Sequence, residues 1–229
     1  MEYRGKKSLD IMKTTAKRYN QWLVTQVKNH LKSPILDAGA GNGAFVELLL
    51  KDYLVYAIDQ DLELATNLQK ILPKEKAGYG DIEQAIYFFN KKKFKTIMCF
   101  NVLEHIKNDD KALLNLYNLL SHRGKLIILV PAHQWAYGEM DKEINHFRRY
   151  SKDSLKNLLE NNHFTIISIK YLNMFGLLGW FVAGKIFKRK MVSAGQIGIF
   201  DKIMGLITIL EKRIEPPVGL SIFAVCQKK

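Results

Sequence analysis

Residues 35–43 read Ile-Leu-Asp-Ala-Gly-Ala-Gly-Asn-Gly, and no other stretch restricts the fold as strongly. A short apolar run ends at Asp37, glycines alternate at 39, 41 and 43, and an apolar helical pattern runs from Ala44 to Leu50. Alternating glycines let the chain turn sharply and bring bare backbone close to a ligand. Strand, glycine turn and helix together make a β-turn-α unit that offers backbone N–H groups and a helix N-terminus to a bound group. Gly39, Gly41 and Ala44 also satisfy G-x-G-x-x-G/A, the dinucleotide pattern, so the glycine spacing alone leaves the ligand open.

The rest of the chain repeats the alternation. Apolar runs at 35–38, 54–58, 77–80, 94–100, 125–130, 164–169 and 220–226 read as strands. Between them, helical spacing is expected at 43–51, from Asp61 to before Pro73, at 82–90, from Asn108 to Ser121 and from Ser151 to about Asn161. Helical crossovers of this length imply a parallel sheet covered on both faces. The prediction is an α/β, doubly wound, mostly parallel seven-stranded sheet in a single domain over 1–229. A helical cap is expected at 1–32, where Ser8 caps a helix reaching Leu31, and a helical insertion at 171–218 before the last strand.

Composition narrows the class. The two cysteines, Cys99 and Cys226, lie in strand-like apolar runs, which predicts reduced, buried thiols in a cytoplasmic setting. No metal site is expected. The N-terminus lacks an apolar stretch behind its charges, and no run is long enough to span a membrane. The net charge of +13, from 35 basic and 22 acidic residues, favours an acidic partner or simply lysine-rich solvated faces.

In an open α/β sheet a ligand lies across the carboxyl ends of the strands. Those ends carry Gly39-Ala40-Gly41-Asn42-Gly43, then Asp59-Gln60-Asp61, then Gly80-Asp81-Ile82, then Asn101-Val102-Leu103-Glu104-His105-Ile106. Asp59 stands 20 residues after Gly39, the distance at which an acid meets the ribose hydroxyls of a bound nucleoside. Asp61 reads better as a helix N-cap. The ordered set, above all Asp37-x-Gly39-x-Gly41-x-Gly43, resembles the S-adenosylmethionine (SAM) methyltransferases with a Rossmann-like fold. The resemblance is strong over about 33–131.

That resemblance implies SAM as cofactor and S-adenosylhomocysteine (SAH) as product. It implies a cofactor site of Asp37, Gly39, Ala40, Gly41, Gly43, Asp59, Gln60, Asp81, Ile82, Asn101, Val102 and Glu104. The segment at 101–106 is similar to that of small-molecule methyltransferases and lacks the Asn-Pro-Pro-Tyr pattern used on amino groups of bases, so nucleic acid is not the expected partner. The alternatives are a nicotinamide-dependent oxidoreductase, which Asp37 and the 101–106 segment oppose, and a non-catalytic SAM- or nucleic-acid-binding protein.

A sulfonium methyl is already electrophilic, so such an enzyme aligns a nucleophile and excludes water, adding a base where the nucleophile is a hydroxyl. The candidate catalytic residues are His105, His133, His146 and Tyr150. The polar-aromatic loop at 131–150 supplies candidate substrate contacts in Trp135, Tyr137, Arg148 and Arg149, the arginines suited to a phosphate or carboxylate. Its histidine, paired arginines and tyrosine resemble a loop of bacterial methyltransferases associated with cell-envelope or glycan genes. The expected acceptor is a small molecule, glycan- or lipid-linked, methylated at oxygen. The apolar run Leu172–Val182, followed by Lys185, Lys188, Arg189 and Lys190, suits peripheral membrane contact, a cap over an apolar pocket or a dimer face, and the protein is expected to be a monomer or homodimer.

Overall fold

The computed structural model describes residues 5–182, 193–213 and 215–229. Eight strands form one sheet in the order β4-β3-β2-β1-β5-β6-β8-β7. They are β1 (Ile35–Ala38), β2 (Val55–Asp59), β3 (Ala77–Asp81), β4 (Ile86–Tyr87), β5 (Phe94–Phe100), β6 (Leu120–Pro131), β7 (Phe164–Leu172) and β8 (Ser221–Lys228). The pairs from β3 through β2, β1 and β5 to β6 are parallel, while β8 runs antiparallel to both β6 and β7. The expected seven-stranded, mostly parallel α/β sheet is therefore present with one strand more. The extra strand is β4, a two-residue ribbon antiparallel to β3 where a helix was expected. Its neighbourhood is aromatic, Tyr87 stacking on Phe89, and rings of this kind favour a pleated surface over a helix.

The central strands are buried on both faces, so their side chains alternate between two cores. Leu36, Tyr56, Ile58, Ile97 and Cys99 pack on one side with α5 (Asp109–Leu119) and α7 (Lys152–Asn161). Ile35, Val55, Ala57, Met98 and Phe100 pack on the other with α2 (Lys17–Val27) and α3 (Ala44–Leu49). Cys99 and Cys226 are buried free thiols, one in β5 and one in β8. The remaining helices are α1 (Lys6–Thr15), α4 (Leu62–Leu68), α6 (Glu139–Glu143), α8 (Met174–Phe181) and α9 (Ala194–Arg213).

Two corrections to the expected elements bear on the site. The single N-terminal helix is broken at Ala16, which separates α1 from α2. This break lets α2 pack into the core while α1, with no buried residue, runs over the carboxyl edge of the sheet. The insertion between β7 and β8 forms α8 and α9, and α9 packs back on the N-terminal helices. Asp201 accepts a hydrogen bond from the Tyr19 amide (2.9 Å), and Phe200 meets Tyr19 edge-on (6.0 Å). The basic run at 185–190 lies outside the described residues. Among the described residues no helix is long and apolar enough to cross a membrane.

Candidate active site

The glycine turn is built as much by packing as by ligand access. Gly39 has φ +78°, and a Cβ there would lie 2.4 Å from a Val102 methyl. Gly43 also has φ +78°, caps α3 from the left-handed region, and faces Ile71 at 2.6 Å. Two of the three glycines thus make room for the protein's own side chains. Gly41 lies beneath α1, with Leu9 at 3.1 Å. The Gly41 amide donates to Asp59 Oδ2 (2.8 Å), and the Asp61 amide donates to Asp59 Oδ1 (2.9 Å). Asp59 therefore faces the loop. Asp61 turns away and caps α4, accepting from the Glu63 and Leu64 amides.

A cavity of about 180 Å³ opens between this turn and α1. Asp37, Gly39, Ala40, Gly41, Asp59, Gln60, Ile82, Asn101 and Val102 line it, together with Leu9, Met12 and Lys13 of α1. Nine of the twelve expected cofactor residues are thus gathered. Gly43 is not, because it faces Ile71, and Asp81 is not, because its carboxylate accepts from the Glu83 and Gln84 amides in a turn. Glu104 falls in the neighbouring cavity. The cap side chains are the residues that pattern reading missed. Helical spacing signalled a helix there, but the break at Ala16 that swings α1 over the turn carries no strong sequence mark.

The lining carries two buried carboxylates, Asp37 and Asp59. Asp37 is buried, and its Oδ2 has no hydrogen-bond partner among the described residues. Burial, reinforced by the Asp59 charge, pushes its carboxyl up to about 7. Burial also raises Asp59, against the pull of its amide donors. A buried carboxylate without a partner is costly, so a cationic ligand carrying hydroxyls and an ammonium group suits this lining.

A second cavity, of about 390 Å³, adjoins the first and shares Met12, Tyr19, Asn101 and His105 with it. Its walls are mostly apolar and come from α1, α8 and α9, including Ile11, Phe175, Trp180, Ile197 and Phe200. Its polar end holds Asn101, Glu104, His105, His146 and Arg149. Asn101 adopts φ +53°, a left-handed conformation Asn tolerates better than most residues. It is held where β5 ends, its amide donating to the Leu129 carbonyl (2.7 Å).

The polar end is an organised network. His146 Nδ1 lies 2.8 Å from Asp141 Oδ1, and Arg149 Nε donates to the same oxygen at 2.8 Å. These cationic and N–H partners hold the Asp141 carboxyl below its usual range despite burial. An ionised Asp141 only accepts, so His146 Nδ1 donates to it and Nε2 is the ring atom turned toward Glu104. Nε2 lies 3.8 Å from Glu104 Oε1. Glu104 is fully buried, neither carboxylate oxygen has a hydrogen-bond partner among the described residues, and burial pushes it up to about 7. His105 meets the His146 ring edge-on at 4.5 Å. Burial first, and repulsion from the neighbouring His146 ring second, lower it to about 3, so it is neutral at ordinary pH. Donor atoms of Glu104, His105 and His146 lie within 4.8 Å of one another, a trio that a divalent cation could occupy although the sequence pointed to no metal.

The rest of the 131–150 loop does not serve as expected. His133, Trp135, Tyr137, Arg148 and Tyr150 line neither cavity. Tyr150 is buried and donates to Asp109 Oδ2 (2.8 Å), and Arg148 pairs with the same carboxylate (2.6 Å). Tyr137 donates to the His146 carbonyl (2.7 Å), and His133 is stacked between Trp135 and Tyr171. Arg149 reaches the cavity, but its guanidinium is spent on Asp141, the Ala132 carbonyl (3.2 Å) and the Trp180 ring (4.8 Å). These side chains clamp the loop so that His146 is fixed. Asp141, five residues before His146, is the member that pattern reading missed.

Residues 13–169 match the methyltransferase domain family. The chain belongs to that family. An uncharacterized protein of Methanocaldococcus jannaschii is 34% identical over 108 residues, which covers 47% of this chain and 45%, less than half, of that protein. A ubiquinone biosynthesis O-methyltransferase of Rickettsia bellii is 25% identical over 176 residues, 66% of this chain and 71% of its own length. The fold of a SAM-dependent methyltransferase from Archaeoglobus fulgidus matches with TM-score 0.59 at 15% identity, covering 92% of this chain and 94% of that one. Membership of the methyltransferase domain family displaces the nicotinamide reading of Gly39, Gly41 and Ala44.

Proposed function

We propose that this methyltransferase moves the SAM methyl group to an oxygen of a small acceptor with an apolar body. The observation that carries the reading is the pairing of the two cavities. The acidic one beneath the glycine turn meets the apolar one at Asn101 and His105. SAM supplies the electrophilic methyl, and Asp37, Gly39, Gly41 and Asp59 are the residues proposed to hold it. Its positive sulfonium and ammonium groups answer Asp37, whose Oδ2 has no hydrogen-bond partner among the described residues.

The acceptor's apolar part would rest against α8 and α9, with its reacting oxygen at the polar end. A hydroxyl must shed a proton as it attacks, and His146 Nε2 is placed to receive it. Asp141 fixes the ring and stabilises the imidazolium that forms. Neighbouring Glu104, ionised or sharing that proton, adds negative charge 3.8 Å away. His105, held neutral, contributes shape and water exclusion at the boundary. The ubiquinone biosynthesis O-methyltransferase similarity agrees with an oxygen acceptor. The test is SAH release from SAM against matched alkyl-substituted phenols, anilines and thiophenols. Turnover confined to the phenols supports the reading; turnover on the anilines alone overturns it.

A further inference from the structure

The polar end of the larger cavity carries a donor set that proton transfer alone does not require. Glu104, His105 and His146 line that end together, and each offers a donor atom within 4.8 Å of the others. One carboxylate and two imidazoles suit a divalent cation such as zinc, with bonds of about 2.0–2.2 Å. At that length donors on one tetrahedral ion stand about 3.3 Å apart. His146 Nε2 already lies 3.8 Å from Glu104 Oε1.

Two independent observations point to a ligand here. Glu104 is fully buried, yet neither carboxylate oxygen has a hydrogen-bond partner among the described residues. A buried polar group in that state calls for a physical reason, and a bound ion is one. Both histidines are also oriented as metal ligands are, through a hydrogen bond to a carboxylate or to backbone. His146 gives Nδ1 to Asp141 Oδ1 at 2.8 Å, which turns Nε2 toward Glu104. His105 hydrogen-bonds to the backbone of Ile144 and Asn145. Two imidazoles select zinc and its neighbours over magnesium or calcium, which take oxygen donors.

We infer that Glu104, His105 and His146 bind one divalent transition cation of the zinc class, and that this binding switches methyl transfer off. The atom that would hold the cation is His146 Nε2, the same one proposed to take the acceptor's proton. One ring nitrogen cannot do both at once. The metal site stands on geometry, while the switch rests on the reading of His146 as the base.

The experiment titrates the full chain, after chelation and buffer exchange, with zinc by calorimetry and with cobalt(II) by visible absorption. Cobalt bands strengthen when the ion leaves its hydration shell for imidazole donors. Methyl transfer to an alkyl-substituted phenol is followed on the same samples. One equivalent is expected to bind, with turnover falling in proportion to occupancy and returning on chelation. Glu104→Gln, which keeps the side chain's shape, is expected to weaken zinc binding at least about tenfold. Asp141→Asn, which acts on the cation only through His146, is expected to weaken it about 10–100-fold. Both variants are expected to keep their SAH affinity, which shows that they fold. Equal zinc affinity in the wild type and Glu104→Gln overturns the metal site. Zinc held by the trio with turnover unchanged or raised overturns the switch, and His146 as base with it. A chain that turns over but binds no zinc or cobalt defeats the metal site alone and leaves the base standing.

Discussion

Replacing Glu104 by glutamine should change how stability depends on pH, in a direction the structure fixes. Glu104 is fully buried with two partnerless carboxylate oxygens, and it titrates near 7 where an ordinary glutamate titrates at 4.5. Between those values the folded chain holds a proton that the unfolded chain has released. Linkage then requires stability to fall as pH rises through that window. The loss is complete just above pH 7 and amounts to about 3 kcal/mol. Well below 4.5 both states are protonated and the pH-dependent cost vanishes. Glutamine keeps the shape and does not titrate. Groups not coupled to Glu104 cancel when the variant is compared with the wild type; His146, 3.8 Å away, does not. Urea unfolding of both proteins from pH 4 to pH 8, followed by tryptophan fluorescence, measures the difference. Glu104→Gln should gain on the wild type by about 3 kcal/mol across the series, a large share of the 5–15 kcal/mol typical of a domain. A difference that stays flat with pH, or that grows toward acid, refutes a Glu104 carboxyl raised by burial.

Three further outcomes follow from the same geometry. His146→Asn should cut turnover by about 10²–10⁴-fold and Asp141→Asn by a smaller factor, with SAH affinity unchanged in both; steady-state kinetics with calorimetry would show it, and wild-type turnover in His146→Asn would remove the base. Gly39→Ala should destabilise by about 1–3 kcal/mol, since the new methyl meets Val102 from a backbone at φ +78°; an unchanged melting temperature would contradict this. Hydrogen exchange in α1 should slow when SAH binds, because this helix buries none of its residues and is tied to the turn by Lys13 donating to the Asn42 carbonyl (2.8 Å); identical rates with and without SAH would place α1 outside the site.

Period-two burial and glycine punctuation made the central sheet legible. Ile97 and Cys99 face one core while Met98 and Phe100 face the other, as a continuous apolar run with helical crossovers requires. The strand-end acids were legible because the carboxyl edge of a parallel sheet is where its loops converge. The 131–150 loop was not, since composition shows that arginine, tyrosine and histidine crowd together but not which of them pair. Asp109 takes both Arg148 and Tyr150, and Asp141 takes both His146 and Arg149. The Asp109 pairs join residues about 40 apart and emerge only after the chain has closed, while the Asp141 pairs depend on how the loop after α6 turns back. The glycines misled in a related way: the pattern was right, but Val102 and Ile71 fill the space beside two of them.

Asp59 and the glycine turn are proposed to hold the nucleoside end of SAM, and SAH titration calorimetry on Asp59→Asn beside Asp61→Asn tests this most directly. The two carboxylates are two residues apart, but only Asp59 borders the cavity, while Asp61 caps α4. The wild type and Asp61→Asn should bind SAH alike, and Asp59→Asn should bind about ten- to hundredfold more weakly. Equal affinity in all three proteins would contradict the assignment.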